Sequence, residues 1–420
     1  MSKIGYLELL RTNNQFRRLW SASIISLLGE WFNTIALFLL IFKYTDSEFL
    51  LGILFTIRML CFALLQPISG LLADRINRKS IMIASNLAQV VLALCFLMVN
   101  GPEDIWWMLW LSGLMMLLHG AYVTAERAAL PNIVSKENLA TANALEAASW
   151  SSALCIGAML GGIVVDLYGT SAAFIIDSFT FLLSAILLIP IVLPQNIEQD
   201  MKGPLLKTAL RNIRNGFRRT MSESRLLRIV FAKASWNIAG GGLAGVFLVI
   251  AGSKIDGFGI AIGFGLFFLA RGIGTGIGPI LARKFLTNEE KWPLLIGQLV
   301  VLSGFFYCLV GLTLEVNLWL TVVLIMFAHS ASGANWVLST ILTQMWVEDE
   351  VRGRVFSIDM LTMSVAFSVS SASAGFLLES EVLTLKTGFL SFSILMMLSG
   401  MIFTLWSPRE KVAKDNPRTS

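Results

Sequence analysis

A few ionisable side chains stand inside stretches of sequence that are otherwise apolar, and any chemistry this chain performs falls to them. Glu30 is the foremost. It lies on a polar stripe of Ser23, Ser26, Glu30 and Asn33, whose spacing of three and four keeps the side chains on one helical face. A charge at mid-bilayer costs at least ~2.5 to 3.5 kcal/mol on insertion scales, so a carboxylate there needs a function or a partner. Two readings follow. Glu30 takes up and releases a proton as its exposure alternates, with Ser26 and Asn33 beside it on a cavity wall, or it is a structural carboxylate paired with a buried arginine such as Arg58. The first is favoured.

Arg58 and Arg271 stay charged in any protein environment and so neither take up nor release a proton themselves. They either hold an anionic group of a substrate or serve as fixed counter-charges, pairing within the protein being the stronger reading. Lys233 and Asn237 are one turn apart; the lysine either snorkels to a membrane interface or faces the cavity opposite Glu30. His119 and His329 are the only histidines. Two imidazoles at similar depth form a candidate proton relay, set against the plainer reading of buried hydrogen-bonding residues. No metal-ligand spacing, catalytic triad or phosphate-binding G-x-x-x-x-G-K-[ST] occurs, and the Gly272, Gly274, Gly276, Gly278 run lacks dinucleotide-loop spacing. The expectation is a protein with no cofactor and no metal that is not an enzyme.

The elements that position these residues follow from composition. Of 420 residues, 56% are apolar and 14% charged, far from the balance of a soluble domain. Apolar runs long enough to cross a bilayer as helices occur at 19–42, 50–72, 80–99, 105–125, 142–167, 172–193, 227–251, 259–281, 293–312, 318–345, 355–378 and 388–406. They are continuous rather than alternating, which excludes a β-barrel. The expected fold is an all-α membrane protein of twelve transmembrane helices in two pseudo-symmetric six-helix bundles. Its parts are an N-terminal bundle at 1–193, a basic linker at 194–226, and a C-terminal bundle with a short tail at 227–420. Trp106, Trp107, Trp292, Trp319 and Trp406 fall at run ends, where an interfacial aromatic belt is expected.

Roughly 25 of the 32 Lys and Arg residues fall on the side that bears the termini, against Lys43, Lys254 and Lys386 opposite, which predicts cytoplasmic termini. The net charge of +5 is thus a topology signal, and nucleic acid is not an expected partner. Cys61, Cys95, Cys155 and Cys308 lie in apolar runs as small hydrophobes. The basic, amphipathic stretch 206–219 in the linker is either a short helix on the anionic inner leaflet or a solvated connection.

The two halves repeat. Gly52 and Arg58 match Gly265 and Arg271, and Val134 and Glu137 match Val347 and Glu350, all at an offset of 213 residues. Parallel repeats of this kind suit a rocking transporter whose site lies between the halves at mid-depth.

The segment Gly70-Leu71-Leu72-Ala73-Asp74-Arg75-Ile76-Asn77-Arg78-Lys79, which follows the second run, closely resembles motif A of the major facilitator superfamily. Asn77 stands where glycine is usual, and it partly mimics glycine in a left-handed turn. Arg127 to Pro131 with Asn138 to Leu145, Val351 to Phe356, and Phe174 to Asp177 with Phe181 are similar to the enterobactin-exporter and macrolide-efflux branch. Gly157-Ala158 with Gly161-Gly162 resembles the antiporter motif, Ala158 replacing its proline. The resemblance implies a secondary transporter in the cytoplasmic (inner) membrane, multi-pass and monomeric, that exports amphiphilic small molecules of drug or siderophore type by alternating access. Its partners would be the substrate, protons and membrane lipids. It also implies a cytoplasmic gate of Gly70, Asp74, Arg75, Arg78 and Lys79, with Asp74 approaching the start of the eleventh span near Arg352 and Arg354. A lipid or lysolipid flippase on the same scaffold, and a non-transporting membrane receptor, are the alternatives.

Overall fold

A computed structural model describes residues 4–195, 204–286 and 288–406, without the side chains of residues 206 and 349–351. Helices account for nearly all of it, and no strand occurs among the described residues. After a short α1 (Tyr6–Thr12) come α2 (Asn14–Tyr44), α3 (Glu48–Arg75), α4 (Arg78–Cys95) and α5 (Ile105–Ile133). Polar side chains start three of these. Asn13 accepts from the Phe16 amide at 2.9 Å, Ser47 from Leu50 at 3.1 Å and Asn77 from Ser80 at 3.2 Å, each satisfying an amide that the first turn leaves without a partner. Asn77 has φ −58°, so it is an N-cap and not the expected left-handed turn residue; its short amide side chain is better used closing the helix start.

The next apolar stretch, Leu139–Leu188, has 50 residues and would be about 75 Å long as one helix, more than twice a bilayer core. Gly169, at φ 82° and ψ 171°, divides it. No L-residue side chain is comfortable there, and the chain reverses to give α6 (139–168) and α7 (170–188). Eleven helices long and apolar enough to cross a membrane thereby supply the twelve expected spans. The linker holds a helix, α8 (Leu205–Met221). The later spans are α9 (Ser224–Ser253), α10 (Ile260–Phe285), α11 (Trp292–Thr313), α12 (Leu318–Trp346), α13 (Asp349–Glu379) and α14 (Leu385–Leu405). Thr384 and Thr387 form a reciprocal cap on α14.

Large apolar side chains such as Trp106, Trp107, Trp110 and Trp319 stay exposed on the outside, as a lipid-facing surface requires. Trp292 departs from the expected belt: it is buried, and its indole donates to the Leu286 carbonyl at 2.8 Å.

Six spans precede α8 and six follow it, and the two sets meet along α3 against α13 and α6 against α10. Glycines allow the approach. A Cβ on Gly52 would lie 2.5 Å from the Ser371 carbonyl oxygen, and one on Gly265 would lie 2.7 Å from that of Ala158. These contacts are related by the 213-residue offset, as are those of Gly162 on Ala261 and Gly375 on Glu48. The repeat in the sequence is therefore a repeat in the packing.

The cores are distributed unevenly. Toward the side away from the termini, residues of both sets pack into one cluster, with Phe38 against Phe55, Phe264 and Phe268, and Phe55 against Phe367. Toward the termini the clusters are separate. Leu9, Phe16, Tyr122, Leu130 and Ala142 form one, and Ile229, Ala282, Ile296, Leu338 and Phe403 another.

Candidate functional site

Glu30 lies at the middle of α2, where helical spacing aims it at α3 and α5. Its carboxylate is 3.4 Å from Arg58 Nη2 and 3.2 Å from His119 Nδ1. The three side chains are only 11% to 17% exposed. Arg58 also donates to Thr34 Oγ1 at 3.0 Å and Ser112 Oγ at 3.1 Å, so its planar donor set is used across three spans. The ring of Phe62 lies 5.8 Å from that of His119. Carboxylate, imidazole and guanidinium thus form one chain in which a proton can move between Glu30 and His119 while Arg58 keeps its charge.

The rest of the polar stripe turns elsewhere. Ser26 is buried and donates to the Ser23 carbonyl at 3.0 Å. Asn33 is fully buried beside Asp177 of α7, on the side of α2 that packs into its own set of spans and not on a cavity wall. Asp177 is itself fully buried, with Glu30 and Arg58 as neighbouring charges. Its distance from the helix ends, with no exposed surface, makes it a member of this network and not an interfacial residue.

Arg271 occupies the repeat-related position in α10. Its Nη1 donates to the Ala244 carbonyl at 3.0 Å and its guanidinium lies 5.3 Å from the Phe268 ring centre. Ala244 belongs to a π-helical stretch, Gly242–Phe247, in α9, and such widened turns free a carbonyl for an outside donor. His329 is buried against Tyr307, whose hydroxyl is 2.5 Å from Nε2, with Trp236 at its edge. The two histidines do not meet: one faces a carboxylate, the other a phenol.

Lys233 neither snorkels nor lines a cavity. It is 2% exposed, with Nζ 2.5 Å from Asp359 Oδ2 and 4.8 Å from the Trp336 ring centre. Asn237 is buried and donates to the Lys233 carbonyl at 2.8 Å. The reason is electrostatic: a lysine this deep needs a carboxylate, and the buried Asp359 of α13 supplies it.

At the termini side, Asp74 pairs with Arg78 at 3.5 Å. Arg78 also donates to the carbonyls of Ala73 (3.1 Å) and Ala128 (2.8 Å) and to Asn132 Oδ1 (2.7 Å). Lys79 donates to Ile189 and Ile191 carbonyls at 3.1 and 3.0 Å, a cation at a helix C-terminus where the dipole favours it. Arg75 is the last residue of α3. Arg352 closes on the Val347 carbonyl at 2.9 Å, and Arg354 is exposed on α13. Gly70 has open space where a Cβ would be. The motif therefore staples α3 and α4 to the ends of α5 and α7. The α13 start that Asp74 is expected to approach falls on 349–351, outside the described side chains.

On the opposite side two carboxylates do related work. Asp166 at the end of α6 accepts from the Ala261 and Ile262 amides of α10 at 3.1 and 2.9 Å. Glu379 at the end of α13 accepts from the Phe49 amide of α3 at 2.8 Å and from the Ser47 hydroxyl. Asp166 and Glu379 are 213 residues apart, as are Phe49 and Ile262. Each clamps a helix N-terminus of the other set of spans, where orphan amides and the dipole favour an anion.

Twelve apolar spans in two repeat-related sets, meeting at glycine-rich contacts around buried charges, define a multi-pass membrane protein. The family model described as Major Facilitator Superfamily matches residues 19–313 and 239–420, and the chain belongs to that family. It is similar to the putative bacilysin exporter BacE of Bacillus subtilis (strain 168), 23% identical over 368 residues, 87% of this chain and 88% of the relative. A multi-drug resistance efflux pump PmrA homolog of Lactococcus lactis subsp. lactis (strain IL1403) is 29% identical over 163 residues, 39% of each chain. The chain spans about half or less of the length of several further relatives it matches. In fold it is similar to a bacterial homolog of the human lysosomal transporter Spinster, solved inward-facing and unoccupied, with a TM-score of 0.71 and 14% identity over 93% of this chain and 96% of that one.

Proposed function

We propose that this chain is a proton-coupled exporter of amphiphilic small molecules, of the enterobactin-exporter and macrolide-efflux type, working by alternating access with Glu30 as the proton carrier. The observation that carries the reading is the position of Glu30. It is the one carboxylate among the described residues held by both a permanent cation and a titratable imidazole. With a proton bound, Glu30 no longer attracts Arg58, and that change is what a coupling ion must supply to bias two states. His119 passes the proton, and Arg271, which donates to the Ala244 carbonyl, is the fixed charge in the other set of spans. The exporters named among the relatives support the outward direction.

With the basic side taken as the cytoplasmic one, the separate cores there and the shared core opposite support an inward-facing state. The test is proton release by purified protein in proteoliposomes as drugs, siderophores and lysolipids are added in turn. A ligand-dependent proton signal that disappears in Glu30→Gln is the expected result and names the substrate class. Ligand movement with no proton signal in the wild type points instead to a facilitator, a flippase of lysolipids, or another coupling ion.

A further inference from the structure

The helix between the two sets of spans has more surface chemistry than a linker needs. Three faces can be distinguished on α8. Ala209, Gly216 and Thr220 are buried against the protein, and Gly216 is close enough to Arg354 that a Cβ would lie 2.9 Å from its carbonyl oxygen. Next around the helix, Leu210, Phe217 and Met221 are 54% to 57% exposed. Beyond them Lys207, Arg211, Arg214 and Arg218, at spacings of four, three and four, form an exposed basic stripe. Helix 205–221 contains no acidic residue, and none of these four cations has an ion-pair partner among the described residues. Only Arg219, on the flank, is paired, with Glu223 at 3.1 Å and Glu348 at 3.6 Å.

An exposed apolar stripe alongside an unneutralised basic one matches the boundary of an anionic bilayer, where acyl chains and phosphates lie within one helix width of each other. Water satisfies only the second stripe. A solvated linker would have no use for Phe217 and Met221 outward, and a helix docked fully onto the protein would turn them in. The helix also packs on α3, α9 and α13, so it touches both sets of spans at the end where their cores are separate.

We propose that α8 is a docking face for anionic phospholipid headgroups of the leaflet on the termini side. The phosphates pair with Lys207, Arg211, Arg214 and Arg218 while Leu210, Phe217 and Met221 enter the acyl boundary. The inference goes beyond proton coupling and does not depend on it: a chain that moved no protons would still bind these lipids.

The experiment places a spin label at Phe217→Cys and, as a control, at Asn215→Cys, in full-length protein whose native cysteines are replaced. Each is reconstituted in nanodiscs of phosphatidylcholine alone or mixed with phosphatidylglycerol. Collision with oxygen, which concentrates in the bilayer, is compared with collision with a water-soluble nickel chelate. Phosphatidylglycerol is expected to shift the label at 217 toward oxygen, to leave the one at 215 in water, and to lose its effect at high salt. Arg211→Gln, Arg214→Gln and Arg218→Gln combined should weaken phosphatidylglycerol retention by on the order of a hundredfold at low salt. These positions are exposed, so folding is not at stake, and native mass spectrometry counts the lipid retained. A label at 217 that stays nickel-accessible in both lipids, or a triple variant that retains phosphatidylglycerol as well as the wild type, overturns the proposal; the first result would leave the face to solvent or a protein partner.

Discussion

Arg58 and Arg271 stand at equivalent positions in repeat-related helices, yet the structure gives them different partners. Arg58 faces the carboxylate of Glu30, and behind it the imidazole of His119. At the same offset Glu30 corresponds to Leu243 and His119 to Ser332, and Arg271 takes the carbonyl of Ala244 instead. The converse asymmetry holds nearer the termini. Lys233 and Asp359 form a sealed pair, whereas their counterparts are Trp20 and Glu146, with no lysine. One set of spans has a titratable network with some access to the interior; the other has its main charge pair closed off. The two copies share the frame and two cations, whereas the carboxylate–imidazole contact stands in one copy only.

The largest effect expected from disturbing this division is in the closed pair. Lys233→Met leaves Asp359 charged and buried, and should cost about 3–5 kcal/mol of stability, whereas Lys233→Met with Asp359→Leu should recover most of it. Thermal unfolding in detergent measures both, and a single variant as stable as the wild type would mean the pair is not sealed.

Transplanting the carboxylate is a finer probe. Leu243→Glu offers Arg271 the partner that Arg58 has. The change should be tolerated with Arg271 present and cost at least ~2.5–3.5 kcal/mol when combined with Arg271→Gln. Equal costs in the two backgrounds would show that the arginines are not equivalent in reach.

A smaller effect is expected where the copies agree. Asp166→Asn and Glu379→Gln each remove an anionic cap, worth about 1 kcal/mol. Being far apart, the two should add and raise labelling of cysteines introduced on the side away from the termini. An effect confined to one of them would break the symmetry seen in the hydrogen bonds. The least change is expected of Asn77→Gly, a few tenths of a kcal/mol for an N-cap, against about 1 kcal/mol for Asn77→Ala, by the same unfolding measurement.

Much of this was legible in residue order, for identifiable reasons. Span positions followed from the length of apolar runs, because a bilayer leaves a helix little choice. The repeat was visible in glycines and arginines, since close packing and buried charge tolerate few replacements. Glu30 and its partner Arg58 could be anticipated from the cost of burying either alone. What was not legible depends on which way a helix faces. Lys233 was expected at an interface or a cavity, and only the rotation of α9 against α13 shows that Asp359 receives it. Asn33 shares the Glu30 stripe but lies far enough around α2 to meet Asp177. The widened turn at 242–247 has no signature beyond its glycines. Asp166 and Glu379 did carry a signal, the same offset of 213, but carboxylates near span ends are common enough that it needed the amide contacts to be recognised.

In the proposed function one carboxylate couples the proton gradient to movement of substrate. The most direct measurement compares wild type and Glu30→Gln in proteoliposomes for a substrate found in the ligand screen, once under a pH gradient and once as exchange of labelled for unlabelled substrate with no gradient. Glu30→Gln is expected to lose uphill transport and keep exchange, because the path and the rocking motion remain while the proposed proton carrier is gone. Uphill transport that survives in Glu30→Gln would contradict it.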